Sequence, residues 1–246
     1  MKRTTEADIM KFRRRHERLH LGKIRKALDK SVSRFWAMVR SENLQDAVKL
    51  INTLIDPEPV EMAIKATISE TSKTAARKTG TSLKSDFDIW FDPILLQYLD
   101  SIMFEKVTGI MESTRVILQR FAISYANQLV DQSINPDTLA RQFRNDWEGL
   151  SRMRSLRIAR TEVASAANFG QLESVKNSEV VETKTWNAVF KKTRDSHEFM
   201  HGTKIPKDQA FEVPTKAGTP DSMMHPLDFN GSAENVVNCQ CYLTFD

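Results

Sequence analysis

Cysteine is nearly absent, with two residues in a chain of 246. That excludes a small fold stapled by disulfides. Long hydrophobic runs are missing as well. The longest span a few residues, against the roughly 20 that a membrane-crossing helix needs, so neither a membrane span nor a membrane partner is expected. Behind Met1-Lys2-Arg3-Thr4-Thr5-Glu6 stands no apolar segment, and no secretory signal is expected. Also missing are a Gly-rich phosphate loop, a His-Glu-x-x-His helix and a Gly-x-Ser-x-Gly elbow. What the chain does have is 40% apolar and 28% charged residues. That suffices for a packed core and argues against wholesale disorder. A soluble intracellular protein of one or two domains is the reading that remains.

Net charge is small in sum, +4, but not locally. Residues 1–40 hold 13 basic against 4 acidic residues, a net of +9, which leaves −5 on the remainder. Lys11, Arg13, Arg14, Arg15, Arg18, Lys23, Arg25 and Lys26 crowd one stretch. Such a basic arm meets nucleic acid or an acidic protein surface, or is simply a solvated helix face. Only Phe12 interrupts it, so stacking on single-stranded bases is not expected.

From Asp8 to Arg40 there is no Pro and one Gly, and Leu28, Val32, Phe35, Trp36 and Val39 recur at helical spacing. One or two amphipathic helices follow. Asp56-Pro57-Glu58 carries helix-start grammar: a capping carboxylate, a proline that loses no hydrogen bond at the first turn, and an acid at the positive helix end. That helix is expected to end near Thr79, with Gly80 as its stop. Residues 80–92 read as a loop anchored by Phe87, Trp90 and Phe91. Pro93 is expected to open a long helix to about Ile134, bent near Gly109. Asn135-Pro136-Asp137 repeats the cap pattern and starts a helix to about Trp147. A last helix is expected from about Ser151 to Lys176. Met153, Leu156, Ala159, Val163, Ala166, Ala167 and Leu172 form its apolar stripe. Arg157, Arg160 and Glu162 on or beside that stripe are either solvated charges or a polar network that holds the next domain.

After Glu179 the pattern changes. Residues 180–246 carry both cysteines, three of the five histidines and four of the eight prolines. Lys184/Trp186/Ala188 alternate with Thr183/Thr185/Asn187, a strand signal. Short turn-rich segments follow, with a final strand near Cys241 to Phe245.

An ordered series of residues runs through this half: Ala159-Arg160-Thr161-Glu162, Asn168-Phe169-Gly170, Lys184-x-Trp186, Thr193-Arg194-Asp195-Ser196-His197, Gly202, Phe211, Pro220-Asp221 and Asn238-Cys239-Gln240-Cys241. Over residues 150–246 it resembles the phage Mu F-like head morphogenesis (minor head protein) family. Two departures stand out. Gln240 replaces the Arg expected between the cysteines, so any salt bridge from that Arg is absent. Pro220-Asp221 lacks the Gly expected between them, so that turn is shaped differently. The resemblance marks Arg160, Glu162, Trp186, Arg194, Asp195, His197, Gly202, Asn238, Cys239 and Cys241 as the motif cluster. It implies a low-copy component of the virion head. Its partners would be the portal protein and, beyond it, capsid or scaffolding protein and phage DNA. It would be found in the host cytoplasm during assembly. Some members of that family carry a toxin or transferase domain after the Cys-x-Cys block. The five residues after Cys241 lead to the expectation of none here.

The cluster allows several chemistries. His197 and His201 stand one helical turn apart, and Cys239 and Cys241 share a face if their segment is a strand. Together they could close a structural zinc site, with His225 and Asp195 as spare ligands. The alternative is metal-free: His197 bonded to a carbonyl or to Asp195, and the cysteines buried as small apolar groups. A Cys239–Cys241 disulfide would need a strained loop. An enzyme would use Cys239 as nucleophile with His197 as base, or Arg194 and a histidine on phosphate.

The expected fold is a mainly α N-terminal region of long helices followed by a small α+β C-terminal domain. Its parts are residues 1–150, a helical region with the basic arm; 151–179, a linking helix; and 180–246, the Mu F-like domain. The expected role is structural rather than catalytic: a minor head protein in head assembly, DNA packaging, or genome retention and ejection. The alternatives are a metal- or cysteine-dependent nuclease or hydrolase centred on His197, and a plain DNA-binding protein using the basic arm.

Overall fold

The computed structural model describes residues 5–40, 44–79, 87–131, 136–176, 178–190 and 193–246. Long helices dominate up to Lys176. They are α1 (Glu6–Ser31), α2 (Ser33–Arg40), α3 (Leu44–Lys49), α4 (Ile51–Leu54), α5 (Glu58–Thr79), α6 (Phe87–Asp131) and α7 (Pro136–Lys176). A small mixed region follows: β1 (Thr183–Asn187), α8 (Asp195–Met200), β2 (Lys204–Pro206), β3 (Phe211–Val213), β4 (Asp221–Met223), α9 (Ala233–Val236) and β5 (Tyr242–Phe245). This is the fold class expected from the sequence. No helix among the described residues is long and apolar enough to cross a membrane.

Local chemistry sets the helix starts. Thr5 and Asp8 cap α1 reciprocally. The Thr5 hydroxyl accepts from the Asp8 N–H at 3.2 Å, and the Asp8 carboxylate accepts from the Thr5 N–H at 3.3 Å, the logic of a capping box. Asp56 accepts from the Glu58 N–H at 3.0 Å and starts α5, as its cap grammar predicts.

Three sequence-based boundaries change. Pro93 lies inside α6 instead of opening it. A proline there forfeits one backbone hydrogen bond. Packing of Phe91, which is fully buried against Phe169, and the Lys73–Asp92 ion pair at 2.7 Å offset that loss. Helix α6 then runs through Gly109 without interruption. The expected gap between Trp147 and Ser151 is absent, and α7 is one helix. Gly149 costs a helix only about 1 kcal/mol, while Trp147 and Ser151 on either side are buried. The stretch 44–54, for which the sequence offered no start signal, holds α3 and α4. Gly80, Ile134 and Asn135 lie outside the described residues.

The chain divides into two compact units, one of residues 1–20, 65–99 and 157–246, the other of 21–64 and 100–156. This differs from the division into 1–150, 151–179 and 180–246, because the ends of long helices belong to different units. In the second unit, Phe35, Trp36, Phe143 and Trp147 form an aromatic cluster. The Trp147 indole donates to Asp29 at 3.1 Å. Arg154 reaches from α7 to α6, donating to the Thr114 hydroxyl at 3.0 Å and the Ile110 carbonyl at 2.6 Å.

The first unit holds the mixed region. Strand β1 is central in an antiparallel sheet of order β2-β1-β5, with Lys184 opposite both Ile205 and Phe245, and Trp186 opposite Leu243. Strands β3 and β4 pair separately, Phe211 opposite Met223. The period-2 alternation of β1 holds: Lys184, Trp186 and Ala188 are buried, and Thr183, Thr185 and Asn187 are not. Trp186, Phe211, Val213 and Leu243 form one core with Ala164, Leu172 and Val175 of α7.

Candidate functional site

His197 owes its position to the turn of helix α8. Arg194 precedes α8 in extended conformation, and its carbonyl accepts from the N–H groups of His197 and Glu198, both at 2.9 Å. Asp195 and Glu198 suit the positive helix end. The chain then reverses at Gly202, whose φ of +80° suits a residue without a Cβ. The Gly202 N–H donates to the Trp186 carbonyl at 2.8 Å, which returns the chain alongside β1. His197 is thereby buried, with its ring 5.6 Å from that of Trp186, edge to face.

The cysteines arrive from the other side. After α9, Asn238 adopts φ +59°, a conformation asparagine tolerates better than most side chains. Its N–H donates to the Thr161 hydroxyl on α7 at 2.9 Å. Cys239 and Cys241 precede β5, outside the strand, yet both sulfurs turn inward. Each lies 3.4 Å from His197 Nδ1. The Cys241 N–H donates to the Cys239 sulfur at 3.3 Å. Both cysteines are free thiols, so the disulfide alternative does not hold.

The orientation of His197 is determined by a relay. Asn235, itself buried, donates through Nδ2 to the Pro214 carbonyl at 3.1 Å and the Asp221 carboxylate at 2.8 Å. Both partners are pure acceptors, so the amide can stand only one way. Its oxygen therefore faces His197 Nε2, at 3.2 Å, and Nε2 must carry the hydrogen. Nδ1 is left as the atom turned toward the two sulfurs. Burial would raise the Asp221 carboxyl, but hydrogen bonds from the Ser232 hydroxyl, Asn235 and the Ser232 N–H outweigh it and hold it below the usual carboxylate range. The thiols are pushed apart. A hydrogen bond from Cys239, with help from His197, lowers Cys241, and burial raises Cys239. The fully buried Trp186 indole adds a smaller pull on Cys241 in the same direction.

A third element closes the knot. Arg13 of α1 is 1% exposed. It donates to the carbonyls of Gln240 at 2.8 Å and Cys241 at 3.2 Å, and to the Asn168 side-chain oxygen at 2.8 Å. Asn168 in turn donates to the carbonyls of Pro226 at 2.7 Å and Cys241 at 3.1 Å. Burial lowers the Arg13 guanidinium to about 10, against the opposing pull of Cys239 and Cys241, so it stays charged at neutral pH. Ser165 adds a bond to the Leu227 carbonyl at 2.8 Å. Thr161, Ser165 and Asn168 thus make one polar face of α7 that holds the segments around Leu227 and Cys241, while Arg157, one of the three charged residues singled out on this helix, is exposed.

Several expected site residues lie elsewhere. His201 falls just past α8, where its Nδ1 accepts from the Ala188 N–H at 3.2 Å and its ring packs on Phe190. It is not a fourth ligand beside His197, because α8 ends before completing the turn that would align them. His225 is buried at a different place, its Nδ1 3.0 Å from the Pro226 carbonyl. Asp195 is exposed on the first turn of α8. Arg194 bonds the Val237 carbonyl, tying α8 to the segment after α9. Arg160 pairs with Glu17 of α1 at 3.6 Å, and Glu162 is buried. In the basic arm, Lys11, Arg14, Arg15, Arg18, Lys23 and Lys26 are exposed and Arg25 is half-buried. Arg13 is the correction: it serves the interior and is not available to DNA or a partner protein.

Sequence reasoning missed Asn235, Asp221 as an acceptor, and the inward role of Arg13. Only the last left a signal. Ile9, Arg13, His16, His20, Ile24 and Leu28 recur at steps of three and four residues, and all six are buried.

Residues 126–244, a stretch that takes in α7, His197 and both cysteines but not Arg13, match the family model described as "Phage Mu protein F like protein". No curated protein and no solved structure matches the chain.

Proposed function

Through residues 126–244 the chain belongs to the Phage Mu protein F-like family, and from this we propose that it is a minor, low-copy component of a phage head, held at the portal vertex. It acts there in head assembly, DNA packaging, or retention and ejection of the genome. It enters the head from the host cytoplasm, where capsid or scaffolding protein and phage DNA are its further neighbours. The family match carries this reading. The site is consistent with it, because His197, Cys239 and Cys241 are 1–3% exposed and offer a substrate no approach to the thiols. In this reading their role is to stabilise the last segment of the fold. The exposed basic residues Lys11, Arg14, Arg15 and Arg18 supply an electrostatic contact for an acidic portal surface or for DNA.

Co-purification with the portal protein of the same phage, at low and at high salt, tests this. Association is expected at both. An exposed charge contact weakens as salt shortens the screening length to about 3 Å at 1 M, so retention at low salt alone assigns the contact to the basic arm. In that case Arg14→Glu/Arg15→Glu/Arg18→Glu abolishes it. Failure to associate at either salt contradicts the proposal.

A further inference from the structure

His197 Nδ1, Cys239 Sγ and Cys241 Sγ lie within 4.8 Å of one another. A thiol hydrogen bond alone is a poor account of this arrangement. Nδ1 has one lone pair and serves one S–H well, yet both sulfurs stand at 3.4 Å from it. Equal approach of two sulfurs to one nitrogen is what three ligands do around a common centre. In a tetrahedral zinc site, bond lengths of about 2.3 Å to sulfur and about 2.0 Å to nitrogen place the nitrogen about 3.5 Å from each sulfur. The observed edges agree with that value.

The surroundings are those of a metal ligand set. A ligating histidine usually gives its other N–H to a carbonyl or carboxylate, which settles its tautomer and its aim. Here His197 Nε2–H goes to the Asn235 amide oxygen, and Asn235 is locked by Asp221 and the Pro214 carbonyl. The Cys241 N–H donates to the Cys239 sulfur. Donors of this kind favour thiolates. Two sulfurs and one imidazole nitrogen select a borderline-soft ion such as zinc over magnesium or calcium, which prefer oxygen. Two thiolates on a divalent ion form a centre with no net charge, and burial then carries little of the penalty of an isolated ion.

We propose that His197, Cys239 and Cys241 bind one zinc ion that staples the segment before β5 to α8. Among the described residues no fourth His, Cys, Asp or Glu joins the group, so the fourth position falls to a small ligand such as water. Binding releases the thiol protons to solvent and leaves both cysteines as thiolates. A region this small gains from such a staple, because small domains bury a small share of their surface. The proposal is independent of the head-component reading.

The test is elemental analysis of the full-length protein, expressed with zinc in the medium and purified without a chelator or a nickel column. One zinc per chain is expected, released when a mercurial blocks the thiols. Cobalt put in its place is expected to give a thiolate-to-metal charge-transfer band. His201→Ala is expected to keep the metal, and Cys239→Ser and Cys241→Ser to lose it. Less than about a tenth of an equivalent of zinc in protein that is folded by circular dichroism, with no cobalt band, overturns the proposal. Zinc that is indifferent to the mercurial, or that leaves with His201→Ala, overturns the ligand assignment. Because wild-type protein decides the first question, a serine variant that fails to fold does not rescue the proposal.

Discussion

Arg13→Ala is expected to destabilise the unit formed by residues 1–20, 65–99 and 157–246 by about 3 kcal/mol, while Arg14→Ala changes it by less than about 0.5 kcal/mol. The two arginines are neighbours in sequence and opposites in structure. Arg14 is exposed; Arg13 is 1% exposed and donates to two carbonyls and one amide oxygen. Truncation leaves the half-buried Gln240 carbonyl and the fully buried Asn168 oxygen without this donor. The cost is the desolvation of those acceptors in addition to the lost bonds. Arg13→Lys is not expected to rescue it. A lysine keeps the charge, but as a single point, and cannot span carbonyls and an amide that the planar guanidinium meets together. Hydrogen exchange is the appropriate readout, because a chain of two units need not unfold in one step. Amides of residues 238–245 are expected to lose protection first. Arg13→Ala with the protection and melting of the wild type would contradict the assignment.

Gly170→Ala is expected to cost about 3 kcal/mol, or to prevent folding outright. Helices α5 and α7 approach so closely at this point that a Cβ on residue 170 would stand 2.3 Å from the Ser72 carbonyl oxygen and 2.9 Å from its Cα. The obstacle is backbone, so no rotamer change relieves it and the helices must separate. Their separation would loosen Phe169, stacked on Tyr98 at 3.8 Å, and Asn168, a partner of Arg13. Gly149→Ala is the control within the same helix. A Cβ there meets nothing within 4 Å, so the change is expected to stabilise by up to about 1 kcal/mol through helix propensity alone. Thermal melts of the two variants give the comparison. A Gly170→Ala protein at least as stable as the wild type would show that the helices are not in this contact.

Much of the fold was legible because local chemistry agrees with tertiary packing. Asp56 caps α5 where a capping residue should, and the alternation around Lys184 and Trp186 marks β1 and its buried face. The ordered series from Ala159 to Cys241 was legible as a resemblance, and the structure gives physical reasons for several of its members. Thr161 holds Asn238, Asn168 holds Cys241, Gly170 admits α5, and Gly202 turns the chain after α8. What was not legible depends on distance in the chain. Arg13 sits 228 positions from Cys241, and its place in a run of basic residues hides the three-and-four spacing it shares with Ile9 and His16. The spacing of His197 and His201 implied a common face, but α8 stops one residue short of His201. Asn235 shows its role only once α9 is placed against α8. Pro93, read as a helix start, lies inside α6, and the break expected between Trp147 and Ser151 is absent from α7, where both residues are buried.

The central claim, that this chain is a structural component of a phage head, is tested most directly by quantifying it in purified particles. Proheads and mature heads are purified and their proteins measured by mass spectrometry against the portal protein. The account predicts that the chain is present in both, in fewer copies than the major capsid protein and in constant proportion to the portal. Absence from proheads and mature heads alike, in particles that contain their portal, would contradict it.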